Sequence, residues 1–183
     1  GRVDFGTGRG GAYEQTGLAV DPRETRSMWD EAMRMIPRMW EDEEFSWDGK
    51  YWKVPPRRVL PKTYQKPHPP LFRAAVSPES ITDMAKIGRP VLLRTKTAPH
   101  ATEQLTLYRD VMASSGFDEE TVERTLDRCW VWRDIYISES NEQAMDEFAP
   151  GFEHFEDEVG ELRRRWSPAD QPATQRVQRM LRE

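Results

Sequence analysis

The chain has 183 residues, 37% of them hydrophobic and 32% charged, with a formal net charge of −5 at pH 7. That length allows one domain with a hydrophobic core, and the scattered basic residues exclude the positive stripe that is typical of nucleic-acid binders. The longest apolar runs are too short to cross a membrane, and the single cysteine, Cys129, excludes an internal disulfide.

The first predicted elements are a strand and a helix. Val3 and Phe5 alternate with polar residues and are followed by glycines, a pattern that predicts a short strand running into a turn. A helix is predicted to begin with Asp21 as its N-cap and Pro22 at its first position, because these residue types are favoured there. Apolar residues then recur at helical spacing, and Pro37 is expected to kink or shorten the helix near its end.

A β-hairpin is predicted next, over residues 45–52. Asp48-Gly49 provides the positive φ angles of a tight turn between two aromatic strands. The proline-rich stretch 55–70 is predicted to be an extended loop, because its prolines remove backbone hydrogen-bond donors.

The remaining predicted elements alternate between strands and helices. Ser77 caps the first of these helices, Pro78 suits its first turn and Gly88 ends it. Strands that are separated by helices indicate parallel βα units. A long acidic helix over 140–165 is predicted to be interrupted at Pro150-Gly151. The other elements are strands at 71–76, 90–93 and 129–137 and helices at 99–114, 118–127 and 173–181.

Four segments, in this order and at this spacing, resemble the luciferase-like monooxygenase family. They are GRVDFGTGRG at residues 1–10, the hairpin FSWDGKYW, PPLFRAAVSPES at 69–80 and GRPVLL at 88–93. The resemblance covers residues 1–155 and implies an α/β fold, a partial (β/α)₈ TIM barrel with an inserted β-hairpin and apparent truncation at both ends. It would contain the fourth to the seventh barrel strand. Residues 156–183 are then the helical tail of a single luciferase-like domain over 1–183.

The resemblance also implies a flavin-phosphate site at the ends of two strands. In the family the arginine that matches Arg9 contacts the flavin phosphate, and Gly10 beside it lets a ligand come close. Ser77 and Ser80 begin a helix, whose first turn offers free N–H groups and the positive end of the helix dipole to an anion. Thr95 follows the next strand, at a place where the family often faces the flavin ring.

These residues also have an interpretation that needs no ligand. The sequence from Ser77 to Ser80 is a good helix cap by itself, and Arg9 alone would be an ordinary surface charge. Glu79 would repel an anion bound beside it, so we expect its carboxylate to point away or to pair with an arginine.

We expect a soluble cytoplasmic protein, because the sequence shows no signal pattern and no apolar run long enough to span a membrane. The resemblance implies a flavin-dependent monooxygenase, in which reduced FMN and molecular oxygen oxygenate a small organic substrate. A separate flavin reductase would deliver the reduced FMN, and family members often form homodimers. No catalytic acid or base can be assigned. No metal site is expected, because the three histidines lie far apart in the chain, and no membrane or nucleic-acid partner is expected.

Two alternatives stay open. One is a hydride-transfer oxidoreductase that uses the deazaflavin F420 on the same barrel, since that cofactor also carries a phosphate. The other is an incomplete barrel that catalyses nothing and serves as a binding or interaction module. Four exposed parallel strands would leave unpaired edges, so we expect this stretch by itself to be poorly soluble.

Overall fold

The computed structural model describes residues 1–95 and 97–167, which form six strands and six helices. None of the helices in this described part is both long and apolar enough to cross a membrane. The strands are β1 (Phe5–Thr7), β2 (Phe45–Asp48), β3 (Lys53–Arg57), β4 (Leu71–Ala75), β5 (Val91–Arg94) and β6 (Trp130–Trp132). The helices are α1 (Ala12–Gly17), α2 (Thr25–Glu41), α3 (Pro78–Ala85), α4 (Ala98–Ser114), α5 (Glu119–Leu126) and α6 (Asn141–Trp166).

Four of the strands form one parallel sheet in the order β1-β4-β5-β6. In this sheet Phe5 is level with Leu71, and Leu92 is level with Trp130. Because all four strands run in the same direction, their carboxyl ends lie along one edge, which is where parallel α/β folds bind their ligands. The predicted α/β fold with a parallel sheet is confirmed. Closure into a barrel and truncation at both ends stay predictions.

The hydrophobic core lies between this sheet and the helices α2, α3, α4 and α5. Val91 and Leu93 of β5 are almost fully buried, and Tyr108 of α4 donates a hydrogen bond from its hydroxyl to the Arg89 carbonyl at 2.8 Å. Burial of each large apolar side chain stabilises the fold by about 1.5–3 kcal/mol. The other buried members of the core are Trp29, Met33, Ala75, Ile81, Met84, Ala85, Met112 and Val122.

A buried carboxylate fixes the hairpin of β2 and β3 to α2. Glu31 of α2 is only 4% exposed, and it accepts hydrogen bonds from the Trp47 indole at 3.0 Å and from the backbone N–H groups of Lys50, Tyr51 and Trp52 at 3.0–3.2 Å. Burial by itself would raise the pKa of Glu31, but these hydrogen bonds favour the ionised form and bring the pKa below its usual value. The charge is therefore retained where it orders the hairpin loop.

The N-terminal half differs from the sequence prediction at several boundaries. Helix α1 was not predicted, because Gly11 at its N-cap gives no side-chain signal. Helix α2 begins at Thr25 and not beside Asp21, whose carboxylate accepts a hydrogen bond from the Arg23 backbone at 2.9 Å in the turn before the helix. Pro37 is accommodated inside α2. The pairing of two strands in a hairpin is confirmed, and β3 extends through two prolines of the predicted loop. The predicted tight turn is wrong, because the loop spans residues 49–52 and neither Asp48 nor Gly49 has a positive φ.

The C-terminal half contains a shorter strand and a longer helix than expected. The strand predicted over 129–137 is limited to β6, because its neighbour β5 ends at Arg94 and offers no further partner. The predicted interruption at Pro150 is wrong, since α6 continues through it. Pro150 and Asp146, whose carbonyl loses its helical partner, are both exposed, so water can satisfy that carbonyl. The helix predicted over 173–181 lies outside the described residues.

The chain divides into two compact units. One contains Gly1–Arg9 and Arg26–Arg133, and it therefore holds both sheets. The other contains Gly10–Thr25 and the residues from Asp134 onward, and within it α1 contacts α6. The prediction of a single luciferase-like domain stays a prediction.

Candidate functional site

Two neighbouring strands bring Arg9 and Ser77 to the same edge of the sheet. Arg9 lies two residues beyond the end of β1, and Ser77 lies two residues beyond the end of β4, which pairs with β1 in parallel. The two chain segments approach closely there, as shown by the short distance of 3.4 Å between the Cβ of Ala74 and the position that a Cβ on Gly8 would take. Gly10 has a φ of +72°, a conformation that favours glycine. The geometry thus brings together the two chain segments that the sequence assigned to one phosphate.

The start of α3 is closed by a reciprocal cap. The Ser80 backbone N–H donates to the Ser77 hydroxyl oxygen at 3.2 Å, and the Ser77 N–H donates to the Ser80 hydroxyl oxygen at 3.2 Å. The capping interpretation of this motif is therefore confirmed. Within the described part of the chain, the backbone N–H of Glu79 has no hydrogen-bond partner, so the first turn keeps one N–H for an anion.

Glu79 is paired with an arginine, as expected. The Arg26 guanidinium forms ion pairs with Glu79 at 2.5 Å and with Asp83 at 2.7 Å, and it therefore joins the start of α2 to one face of α3. The hydrogen bond from Arg26 holds the pKa of Glu79 below its usual value, and the positive charge of Arg9 also contributes to this lowering.

A second arginine, Arg73 of β4, is almost completely buried beneath this edge. Its side chain is only 5% exposed. The guanidinium carbon lies 4.4 Å from the centroid of the Trp29 ring, and a guanidinium nitrogen lies 3.9 Å from a carboxylate oxygen of Asp83. Burial lowers the pKa of Arg73, and repulsion by the nearby Arg9 lowers it further. Mutual repulsion between two guanidiniums is relieved when an anion binds near them.

Arg26 and Arg73 were not among the site residues predicted from the sequence. Arg26 lies 53 positions before Glu79, so no local spacing connects them. The one available signal was the expectation that the Glu79 carboxylate points away or pairs with an arginine, and it did not specify which arginine.

Thr95 is engaged in the turn that precedes α4. The residue is 6% exposed, its hydroxyl donates to the Thr97 carbonyl at 3.1 Å, and a ring nitrogen of His100 lies 3.1 Å from the same oxygen. Thr97 caps α4 by accepting from the His100 N–H at 3.3 Å. The role of Thr95 beside a flavin ring stays a prediction.

The arrangement is suited to holding a compact dianion. Arg26 and Arg73 contact carboxylates of α3, namely Glu79 at its start and Asp83 one turn further on. Arg9 follows the neighbouring strand β1 at the same edge of the sheet. A helix N-terminus together with a neighbouring guanidinium is a common way for proteins to bind phosphate groups. No side chain in this group is placed as an acid or base for chemistry on a substrate.

The chain belongs to the luciferase-like monooxygenase family, whose sequence model matches residues 1–182. The match extends well beyond residue 155, where the resemblance found in the sequence ended. This family assignment confirms the resemblance and makes the chain part of an oxidoreductase family.

Several solved structures are similar to this one, and three of them are described here. The monooxygenase RslO1 from Streptomyces bottropensis superposes with a TM-score of 0.71 at 27% identity, covering 88% of this chain and 49% of that one. The oxygenating constituent of 3,6-diketocamphane monooxygenase from Pseudomonas putida, in complex with FMN, has a TM-score of 0.56 at 13% identity over 76% of this chain and 42% of that one. An F420-dependent secondary alcohol dehydrogenase has a TM-score of 0.51 at 20% identity over 66% and 38%.

The chain thus spans about half the length, or less, of the proteins it resembles. The second and third structures show the shared fold alone, because their sequence identities to this chain are low.

Proposed function

We propose that this protein is a flavin-dependent monooxygenase that binds reduced FMN and uses molecular oxygen to oxygenate a small organic substrate. The observation that supports this most directly is the shared edge on which Arg9 and the capped start of α3 lie. The similarity to RslO1, which is a monooxygenase, supports the reaction class, and the P. putida enzyme binds FMN on the same fold.

The residues at this edge match the chemistry of a flavin phosphate. The Arg9 guanidinium offers paired N–H donors, and the Glu79 backbone N–H offers a further donor at the positive end of α3. The hydroxyls of Ser77 and Ser80 hold the turn in shape through their reciprocal cap. When bound, FMN supplies the oxygen chemistry, and the protein's part is to bind and orient it. A separate flavin reductase as the source of reduced FMN, and a homodimer as the assembled form, belong to the same proposal.

Two substitutions at Ser77 separate its capping role from phosphate binding. Aspartate and asparagine both cap helices well and have similar shapes, but only aspartate adds a negative charge. We expect Ser77→Asn to bind FMN within about threefold of wild type, and Ser77→Asp to bind it at least about tenfold more weakly, because its carboxylate repels the phosphate. Fluorescence titration with FMN measures both, and circular dichroism checks that α3 is retained.

Riboflavin, which has the same ring system but no phosphate, is the matched ligand for this experiment. Ser77→Asp and Arg9→Ala are expected to leave riboflavin binding unchanged while weakening FMN binding. If the wild-type protein binds FMN no more tightly than riboflavin, or if both Ser77 variants bind FMN equally well, the proposed phosphate site is wrong.

A second candidate is F420-dependent hydride transfer. The observation that favours it is the fold shared with the F420-dependent secondary alcohol dehydrogenase. Arg9 and α3 do not separate the two cofactors, since each carries a phosphate. Absorbance difference spectra of the protein with FMN and with F420 distinguish them, and binding of F420 alone would replace the monooxygenase assignment.

A further inference from the structure

Thr95 and His100 form a hydrogen bond whose direction is fixed by their neighbour Thr97. The Thr95 hydroxyl has a single hydrogen, and its oxygen lies 3.1 Å from the Thr97 carbonyl, which can only accept. The Nδ1 atom of His100 lies 3.1 Å from the same hydroxyl oxygen. Because the carbonyl takes the hydroxyl hydrogen, the oxygen must accept from His100, so Nδ1 carries a proton. A neutral imidazole has only one N–H, and Nε2 of His100 is then an acceptor.

This acceptor has no donor in the described part of the chain. His100 is exposed, and no described residue forms a hydrogen bond or an ion pair with its Nε2 atom. Gln104, one helical turn further along α4, also has an acceptor without a donor: the residue is 6% exposed, and its Oε1 atom accepts no hydrogen bond from the described residues. Buried acceptors without a donor are uncommon and costly, so the missing partner is a group that carries an O–H or an N–H.

His100 and Gln104 lie beside the start of α3. The last residue of β4 is level with Leu93 of β5, so Ser77 and Thr95 each lie two residues beyond the same level of the sheet. Neighbouring strands are about 4.8 Å apart. The Gln104 amide also donates to the carbonyl of residue 76 at 3.5 Å, which joins α4 to the residue that precedes Ser77. A ligand whose phosphate lies at the start of α3 therefore has the atoms next to that phosphate within reach of His100.

We propose that His100 binds the ribityl chain of FMN by accepting a hydrogen bond from one of its hydroxyl groups at Nε2, and that Thr95 holds the imidazole in the tautomer that this contact requires. The inference rests on the proposed function and adds to it a contact with an uncharged part of the cofactor. The ribityl hydroxyls lie next to the phosphate and can donate a hydrogen bond. The oxygens of a phosphate dianion can only accept, so they cannot pair with an Nε2 atom that lacks a proton.

The tautomer is tested first, in the protein without ligand. Long-range ¹H–¹⁵N NMR spectra at about pH 8, where histidine side chains are ordinarily neutral, distinguish an Nδ1–H from an Nε2–H imidazole. We expect the Nδ1–H form of His100 in the wild type and in Thr95→Ser, which keeps a hydroxyl, and a shift toward the Nε2–H form in Thr95→Val. His68 is the internal control, because its Nδ1 atom lies 2.7 Å from the Pro69 carbonyl and must carry the proton in all three proteins. An Nε2–H form of His100 in the wild type would overturn the proposal.

The contact itself is tested with three flavins that share one ring system. FMN carries the ribityl chain and the phosphate, riboflavin carries the ribityl chain alone, and lumiflavin has a methyl group in its place. We expect His100→Leu to weaken the binding of FMN and of riboflavin by about fivefold each, the loss of one hydrogen bond, and to leave lumiflavin binding within about twofold of wild type. Fluorescence titration measures all three affinities.

Two further variants control for the change of side chain. His100→Gln, whose amide oxygen can accept in place of Nε2, should bind riboflavin within about twofold of wild type. His154→Leu replaces an exposed histidine of α6 and should leave the binding of all three flavins unchanged. Circular dichroism checks that the helices are retained in each variant.

The outcomes separate this contact from the proposed phosphate site. If the wild type binds FMN no more tightly than riboflavin, the phosphate site is wrong, and the placement of the ribityl chain beside His100 is wrong with it. If the wild type prefers FMN but His100→Leu weakens FMN alone, or weakens all three flavins alike, only the role of His100 is wrong. The contact would then be with the phosphate or with the ring. Weakening that is confined to the two flavins with a ribityl chain supports the proposal.

Discussion

At the scale of single residues, Arg73 is the most unusual feature of the molecule. A guanidinium that is 5% exposed, with one ion pair at 3.9 Å, has lost most of its hydration. Replacing such buried charges by apolar residues of similar size is often neutral or stabilising. Arg73 is therefore better explained by a contribution to the positive potential at the strand ends than by a contribution to stability.

We expect the free energy of unfolding of Arg73→Met to be higher than that of the wild type or to lie within about 1 kcal/mol of it. The variant loses the contact with Trp29, but it no longer has to bury a charge. The same variant should bind FMN roughly fivefold more weakly. Chemical denaturation and FMN titration measure the two effects.

Arg89→Met is the matched control for this substitution. Burial also lowers the pKa of Arg89, but the residue precedes β5 and so lies toward the opposite edge of the sheet. Its replacement should leave FMN affinity unchanged. Loss of stability in Arg73→Met without loss of FMN affinity would show that Arg73 serves the fold.

At the scale of elements, one carboxylate orders the hairpin. The Glu31 carboxylate accepts hydrogen bonds from an indole N–H and from several backbone N–H groups. A glutamine accepts through one oxygen only, so Glu31→Gln would leave some of these N–H groups without an acceptor. We expect Glu31→Gln to lower Tm by on the order of 5 °C. Glu43→Gln, which removes a carboxylate from an exposed pair with Arg58, should leave Tm unchanged.

The pH dependence of stability tests the same element. The folded-state pKa of Glu31 lies below its usual value of 4.5. The carboxylate therefore stabilises the fold above that pH, and its contribution is lost as the pH falls through the lower folded-state value. Wild-type Tm should decline more steeply than that of Glu31→Gln between about pH 5 and about pH 3. Parallel curves for the two proteins would exclude Glu31 as the cause.

The elements that the sequence predicted well are those with local signals. Ser77 and Pro78 mark the start of α3, and the apolar run before them marks β4. Helix α1 has no comparable start signal, and the continuity of α6 through Pro150 depends on solvent access that a sequence pattern does not contain. The common edge of the strand ends could also be predicted, because parallel strands separated by helices align their carboxyl ends.

The candidate site was only partly predictable. Arg9 and Ser77 could be connected because each follows a strand, whereas Arg26 and Arg73 owe their positions to tertiary contacts. Arg26 meets Glu79 across 53 positions of chain, and the burial of Arg73 depends on Trp29 packing over it. Neither contact has a periodic signature.

At the scale of the whole molecule, the parallel sheet has an exposed edge strand. Trp130 is 61% exposed and Trp132 is 55% exposed on β6, which pairs with β5 on one side only within the described residues. Exposed apolar edge strands promote association between chains. We expect the 183-residue chain to self-associate at micromolar concentrations, and Trp130→Lys to reduce this, as measured by light scattering after size exclusion.

Tyr64→Lys is the control for that substitution. Tyr64 is 93% exposed but lies outside both sheets, so replacing it removes an aromatic residue from the surface without changing an edge. A chain that remains monomeric and melts cooperatively without any substitution would contradict the expectation.

The direct pairing of β1 with β4 has a consequence for how this protein can diverge. The two strands that precede Arg9 and Ser77 are neighbours in the sheet, and the long segment that connects them forms no part of that sheet. That segment includes Arg26 and the hairpin. Exposed positions in this segment can therefore change without altering the sheet, whereas Trp29 and Met33 of α2 cannot, because they pack into the core beside it.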